Sequence, residues 1–342
     1  MGAWSWGVGG NGGDRVFGNT LTKEDLWPVF RRGMELGLNL WDTAAVYGMG
    51  ASETILGEFV DDCDRDDLYI STKFTPQIAK DVEHPIETMM DESLKRLHTD
   101  YVDLYWIHNP ADVEKWTKEI IPVVKSGKAR AVGVSNHNLE EIKRAEEILS
   151  AEGLHVAAVQ NHYSLLHRSS ESAGILDYCK EEGITFYAYM VLEQGALTGK
   201  YDKDHLMPER SGRGKIYNGI MDKLDGILAA LKEIGEAHNI TTSQTAIAWA
   251  LAKGTLPIIG VTKVKQVEEA AAAMDVRLTE EEIQKLEQEG DKAGVHTLRV
   301  WEKDRFFTLF CGIKIITYKI GIEKEHYLLQ NVSCLKLRTE VE

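Results

Sequence analysis

The chain has 342 residues, 43% hydrophobic and 27% charged, the balance of a globular protein with room for one large barrel or two ordinary domains. Its formal net charge of -15 argues against nucleic acid, whose phosphates demand clustered Lys and Arg, but leaves room for an anionic small ligand in a local positive pocket. The four cysteines, Cys63, Cys179, Cys311 and Cys334, form no CxxC pair, which argues against a metal site or a disulfide framework and fits a reducing cytoplasm. No basic-then-apolar leader opens the chain, and the apolar stretch 306–322 is interrupted by Lys314 and Lys319, so no membrane segment is expected.

In chain order, short β-branched and aromatic runs alternate with longer amphipathic ones. GAWSWGVGG (2–10) reads as a first strand, followed by a helix near 22–36 that Thr22 caps with Glu24 and Asp25 behind it. LNLW (38–41) precedes a helix near 52–61, DLYIST (67–72) one near 85–97, and VDLYWIH (102–108) one near 112–126. ARAVGVS (129–135) leads to LEEIKRAEEILSAEG (139–153), HVAAVQN (155–161) to a helix near 171–182, and ITFYAYM (184–190) to helices within 219–253. LPIIGV (256–261) precedes a helix near 264–273, and Thr279 with Glu282 marks one further helix start. Glycines such as Gly37, Gly127, Gly153 and Gly183 stand at the helix ends.

Eight β-then-α units in about 270 residues point to a closed parallel (β/α)8 TIM barrel of the α/β class. The barrel fits better than an open dinucleotide-binding sheet, because no Gly-x-Gly-x-x-Gly follows the first strand. GVGGNGG (7–13) lacks that spacing and is expected to be a flexible loop over the barrel mouth, not the start of a helix. In such a barrel, functional groups gather at the C-terminal ends of the strands, where Asp42, Lys73, His108, Ser135, Asn136, Gln160 and Tyr189 all fall.

Four side chains carry a specific chemistry. Asp42 and Tyr47 stand in LWDTAAVYG (40–48), Lys73 in LYISTKF (68–74) and His108 in LYWIHNP (104–110). Carbonyl reduction requires a hydride on carbon and a proton on oxygen. A tyrosine holds its proton too tightly at its ordinary pKa near 10, and a neighbouring cation lowers that pKa. Lys73 is expected to be the cation, Asp42 the anion that keeps it charged, and His108 the donor that polarises the carbonyl oxygen.

On these residues the chain resembles the aldo-keto reductases, (β/α)8 barrels that bind NADPH without a Rossmann fold. The resemblance runs from Gly2 to about Lys303 and rests on DTAAVYG (42–48), STKF (71–74), LYWIHNP (104–110), VGVSNH (132–137), VQNHYSLL (159–166), YMVLEQGALTGKY (189–201) and IIGVTKVKQVEEA (258–270). It implies Tyr47 as general acid in a tetrad with Asp42, Lys73 and His108. It implies NADPH as cofactor, with NADH as the alternative. Ser135, Asn136 and Gln160 would hold the nicotinamide carboxamide, and Tyr189 would stack on the ring. Leu192, Gln194, Gly195, Leu197, Gly199 and Lys200 would follow the pyrophosphate, where glycines permit close backbone approach. Gly260, Val261, Thr262 and Lys263, with Gln266, Glu269 and Ala270, would meet the adenosine end, with Lys263 facing a 2′-phosphate. Ala3, Trp4 and Asp42 would complete the cofactor site.

Three positions depart from the family pattern. Met190-Val191 replaces a Ser-Pro after the stacking Tyr, while Ala270 and Gln266 stand where relatives carry Asn and Arg, which weakens NADP selectivity. Trp6, Tyr47, Trp106, His108 and Asn109 are expected to line a pocket for a small-molecule carbonyl, an apolar or sugar-like aldehyde or ketone, with a core role for the aromatics as the equal alternative. Trp4 and Val46 lie at the same mouth. The N-terminal hairpin that plugs the barrel bottom in relatives is expected to be absent, because Met1 stands directly before the first strand. Residues 1–304 are read as the barrel and 305–342 as a non-family tail, in which IKIITYKIGI (313–322) alternates like a strand. A monomer or weak homo-oligomer is expected. The competing readings are a cofactor-binding regulatory subunit on the same barrel and a truncated, poorly functional gene product.

Overall fold

The computed structural model describes residues 1–298, and residues Met1–Thr297 form one compact unit. The expected tail 305–342 and its strand lie outside the described residues.

Seven parallel strands form one sheet in sequential order: β1 (Leu40–Asp42), β2 (Tyr69–Phe74), β3 (Leu104–Ile107), β4 (Val132–Ser135), β5 (Val156–His162), β6 (Thr185–Tyr189) and β7 (Leu256–Pro257). The first expected strand is a single residue. Gly2 bridges Asp42 on one side and Gly260 on the other, with its N–H donating to the Ile259 carbonyl at 2.8 Å. Both edges of the sheet therefore meet at Gly2, and the fold is a (β/α)8 barrel whose first strand has shrunk to one pairing. Beyond Gly2, residues 4–12 run as turns and bends, because Gly7 and Gly9 adopt left-handed φ of 78° and 119°. The glycine-rich segment is not an open loop. Gly12 and Gly13 donate back to the carbonyls of Gly9 and Gly7, and the chain then enters a helical turn at Gly13–Val16. β7 is also shorter than expected, since Pro257 has no N–H to extend its ladder.

The helices follow the sequence pattern closely. Lys23–Glu35, Ala51–Val60, Pro85–Leu97, Val113–Lys125, Leu139–Ser150, Asp225–His238, Thr242–Ala252, Val264–Ala273 and Glu280–Ala293 pack around the strands. Capping boxes start the helices after Thr22 and Thr279, as their spacing predicts. The helix expected near 171–182 is split into Ser169–Ser172 and Ile175–Glu181, with left-handed Gly174 (φ 72°) between them. No helix among the described residues is long and apolar enough to cross a membrane.

Strand side chains alternate between two apolar layers. Tyr105 and Ile107 face the large core shared with the helices, whereas Leu104 and Trp106 join Ala158 and Tyr187 in a smaller core inside the barrel. At the N-terminal ends of the strands, a cavity of 320 Å³ lined by Leu40, Tyr69, Leu104, Ala131, Ala158 and Tyr187 opens below this inner core. Gly133 in β4 sits directly against Trp106, and a Cβ there would stand 2.3 Å from the indole. Gly133→Ala is expected to lower stability by about 1–3 kcal/mol by overpacking the barrel interior. Gly219→Ala adds a methyl with nothing within 4 Å, and should change stability by less than about 0.5 kcal/mol. Urea denaturation of the two variants checks both values.

Candidate active site

Asp42 ends β1, and the register pairs it with Ser71 of β2. Ser71 and Lys73, two residues apart on one strand, point to the same side. Both reach Asp42: Lys73 Nζ donates to Oδ2 at 2.5 Å and Ser71 Oγ to Oδ1 at 2.6 Å. Gln160 Nε2 crosses from β5 to donate to Oδ1 at 3.2 Å. Lys73 also donates to the Thr43 carbonyl at 2.7 Å, so the fully buried ammonium has two protein acceptors. Burial lowers the pKa of Lys73, and the charges of Asp42 and Glu53 oppose that shift. Glu53 is itself buried, accepting from Thr72 Oγ1 at 2.6 Å and from Arg96 Nε at 2.7 Å.

Tyr47 opens the turn Tyr47–Gly50, where left-handed Gly48 and Met49 bend the chain back toward the mouth. Lys73 Nζ lies 5.0 Å from the centre of the Tyr47 ring. Trp4 stacks on the phenol at 5.7 Å, and His108 meets it edge-on at 6.0 Å. His108 follows β3, and its Nδ1 hydrogen-bonds Thr75 Oγ1 at 2.8 Å. The four residues expected to converge are thus brought to one end of the barrel. The electrostatics differ from the expectation in one respect. Burial and then the Asp42 charge drive the Tyr47 phenol well above its ordinary pKa, so the depression expected from Lys73 does not win.

The residues expected around the nicotinamide also cluster. Ser135 ends β4 and pairs in register with Gln160. Asn136 takes a left-handed φ of 63°, donating from Nδ2 to the His108 carbonyl at 3.0 Å and accepting from the Tyr189 hydroxyl at 2.6 Å. The Ser135 hydroxyl still has a proton to donate and the Gln160 amide an oxygen to accept with, the pair a carboxamide requires. Beyond Tyr189, Met190, Glu193, Gln194, Gly195 and Gly199 all have positive φ, so the 190–200 segment coils tightly. Leu197 is buried beneath it and Leu192 partly so, while Lys200 is exposed with its Nζ over the Tyr201 ring.

At the far end, Gly260 and Val261 belong to the barrel closure. Gln266 Oε1 accepts from the N–H groups of Thr262 and Lys263, which leaves Lys263 exposed at the start of helix Val264–Ala273. Glu269 pairs with Lys265 at 3.7 Å, and Ala270 is buried on the core face of that helix. Ala3 is buried beside Asp42. Its N–H donates to the Asp42 carbonyl and its own carbonyl accepts from Ser52 Oγ, so its backbone is committed to closing the barrel.

Two pocket expectations are overturned. Trp6 is not at the mouth. It is fully buried against Trp41 and Phe59, with Nε1 donating to the Val261 carbonyl at 2.8 Å. Trp106, directly opposite Lys73 in the β2–β3 register, is fully buried in the barrel interior against Tyr187. Asn109 does sit at the rim, in a reciprocal amide pair with Gln77 at 2.8 and 2.9 Å. Sequence reasoning missed Thr43, Ser71 and Thr75, which hold Lys73, Asp42 and His108 in place. The alternation in STKFT carries a usable signal, since Ser71 and Thr75 flank Lys73 at a spacing of two.

Comparison with known proteins gives the family and the fold. The family model described as Aldo/keto reductase family matches residues 1–290. The aldo-keto reductase yakc of Schizosaccharomyces pombe, whose name carries NADP(+), is 32% identical over 287 residues, covering 78% of this chain and 83% of that protein. The chloroplastic pyridoxal reductase of Arabidopsis thaliana is 30% identical over 303 residues, 84% of this chain and 81% of the relative. Among solved structures, an aldo/keto reductase from Klebsiella pneumoniae in complex with NADP and acetate superposes with a TM-score of 0.64 at 25% identity, over 83% of this chain and 90% of that one.

His108 has a pH signature. Burial first, and then the Lys73 charge, hold its pKa well below 6.5, so the folded protein keeps a neutral imidazole where the unfolded chain takes up a proton. The stability this group contributes is complete above pH 6.5 and is lost as the pH falls through the window beneath it, by up to about 1.4 kcal/mol per pH unit. His108→Asn removes the titration, so the slope of urea-unfolding free energy against pH is expected to flatten between about pH 6.5 and 5.

Proposed function

The chain belongs to the aldo/keto reductase family of oxidoreductases, and from that premise we propose that it reduces an aldehyde or ketone to the alcohol at the expense of NADPH, with Tyr47 as the general acid. The observation that supports this reading is the meeting of Tyr47, Lys73, Asp42 and His108 at the C-terminal mouth of the barrel. NADPH, when bound, supplies the hydride.

The chain's own residues do the rest. Ser135 and Gln160 offer a donor and an acceptor to the carboxamide, and Tyr189 offers its ring face to the nicotinamide. Exposed Lys263, at the N-cap of the helix Val264–Ala273, is assigned to a 2′-phosphate, which favours NADPH over NADH. Lys200 adds charge along the pyrophosphate. Trp4, Tyr47, His108 and Asn109 frame the space left for the carbonyl.

A neutral His108 that accepts the Thr75 proton at Nδ1 carries its own proton on Nε2 and donates it to the carbonyl oxygen. Hydride addition turns that oxygen into an alkoxide, a far stronger base than a phenolate. A Tyr47 held protonated by its surroundings is therefore ready to donate as the alkoxide forms. The phenolate left behind faces the Lys73 ammonium, which Asp42 has kept charged. Substrate binding that covers the mouth excludes water and strengthens each of these interactions.

We place the catalytic unit within residues 1–304, so a chain lacking 305–342 is expected to keep its reductase activity. An aldehyde panel monitored by NADPH absorbance tests that. Tyr47→Phe is expected to lower kcat by about 10²–10⁴-fold while leaving the NADPH dissociation constant within about twofold. Turnover retained within about tenfold would remove Tyr47 from the acid role. Quenching of protein fluorescence by NADPH with no turnover of any carbonyl by the parent chain would instead support a regulatory, cofactor-holding role.

A further inference from the structure

Behind Tyr189 lies a buried polar chain that the reaction above does not use. Glu193 is fully buried, and its Oε1 accepts from Ser164 Oγ at 2.5 Å, His162 Nε2 at 2.8 Å and Thr297 Oγ1 at 3.1 Å. Its Oε2 accepts from the Tyr217 hydroxyl. A carboxylate taken this far from water is tolerated only when its lone pairs are met, and here four side chains from three separate parts of the chain meet them.

Two consequences converge on the cofactor side of the barrel. First, the imidazole held by Glu193 stacks on Tyr189, with centroids 5.6 Å apart and planes within 30°, while the Tyr189 hydroxyl is fixed by Asn136 at 2.6 Å. The Tyr189 ring is thus set from behind by His162 and at its tip by Asn136. Second, the backbone around Glu193 is strained. Met190, Glu193 and Gln194 adopt left-handed φ of 65°, 46° and 53°, each at a cost of about 1 kcal/mol or more for a residue with a Cβ. Such a run of conformations persists only where its surroundings over-determine it, and the fully buried Glu193 side chain is a hydrogen-bonded anchor in that turn.

We propose that Glu193 is a positioning residue for the cofactor: through His162 it sets the plane of Tyr189, and through its anchored turn it places the 192–200 segment. The proposal rests on the reading that Tyr189 stacks on a nicotinamide. Sequence alone hides it, because a Glu in a glycine-rich loop reads as a solvated charge.

The test compares Glu193→Gln with the parent chain. The amide keeps the volume and one acceptor oxygen and removes the charge. NADPH affinity is read by fluorescence quenching. The single-turnover hydride rate is read with NADPH and with NADPH carrying deuterium at the transferred position, both normalised to sites titrated by NADPH. Expected are a higher NADPH dissociation constant, a rate per site lower by about 10–100-fold, and a larger deuterium effect, since misplacement of a reacting group by about 1 Å costs on that order. A purely structural role would lower the yield of titratable sites but leave affinity, rate per site and isotope effect within about twofold, and that result would overturn the proposal. If Glu193→Gln does not fold, His162→Gln removes the ring behind Tyr189 while keeping an amide donor toward Glu193. Parent-like NADPH affinity in that variant would overturn the proposal as well. A parent chain that reduces no carbonyl would remove the proposed function instead, and the NADPH affinities of the two variants would still decide for or against Glu193.

Discussion

The arrangement depends on one buried ion pair. Lys73 carries its charge in a place without water, and Asp42 on the neighbouring strand is what makes that tolerable. Such a pair is weak evidence for stability, because desolvation consumes most of the Coulombic gain. Its value is geometric. The pair fixes a cation beside the Tyr47 ring, and it draws Ser71 from β2 and Gln160 from β5 onto the same carboxylate. The carboxylate thereby ties the proton-handling side of the site to the side assigned to the nicotinamide.

Burial divides the charges around this pair. Asp42 and Lys73 neutralise each other, whereas Tyr47 and His108, set around them, are both pushed toward their neutral forms, the phenol upward and the imidazole downward. Two neutral rings therefore stand beside a compensated ammonium. That polarity suits an oxygen on which negative charge develops, because fixed donors stabilise the charge without having to reorganise.

The barrel converts local strand chemistry into this convergence. Parallel pairing places Asp42 opposite Ser71, Lys73 opposite Trp106 and Ser135 opposite Gln160, so residues far apart in the chain emerge at one rim. The same alternation sends Trp106 inward and Tyr105 outward. The turn after β6 is built differently. It relies on left-handed residues and a buried carboxylate, not on a strand ladder, to hold its shape.

The alternation of strand and helix, the caps at Thr22 and Thr279, and the strand-end positions of Asp42, Lys73, His108, Ser135 and Tyr189 are properties of local periodicity, and the chain carries them without help from the fold. So is the choice of Tyr, Lys, Asp and His, since each residue type brings its own chemistry. Other features are settled by contacts between distant segments. Trp6 and Trp106 have the composition of pocket walls, yet each is drawn into a core because a facing gap accepts an indole: between Trp41 and Phe59 for one, over Gly133 for the other. The single pairing of the first strand at Gly2 joins Asp42 and Gly260, which come together only when the barrel closes. The protonation states of Tyr47 and His108 follow from burial, and burial does not exist until the barrel closes.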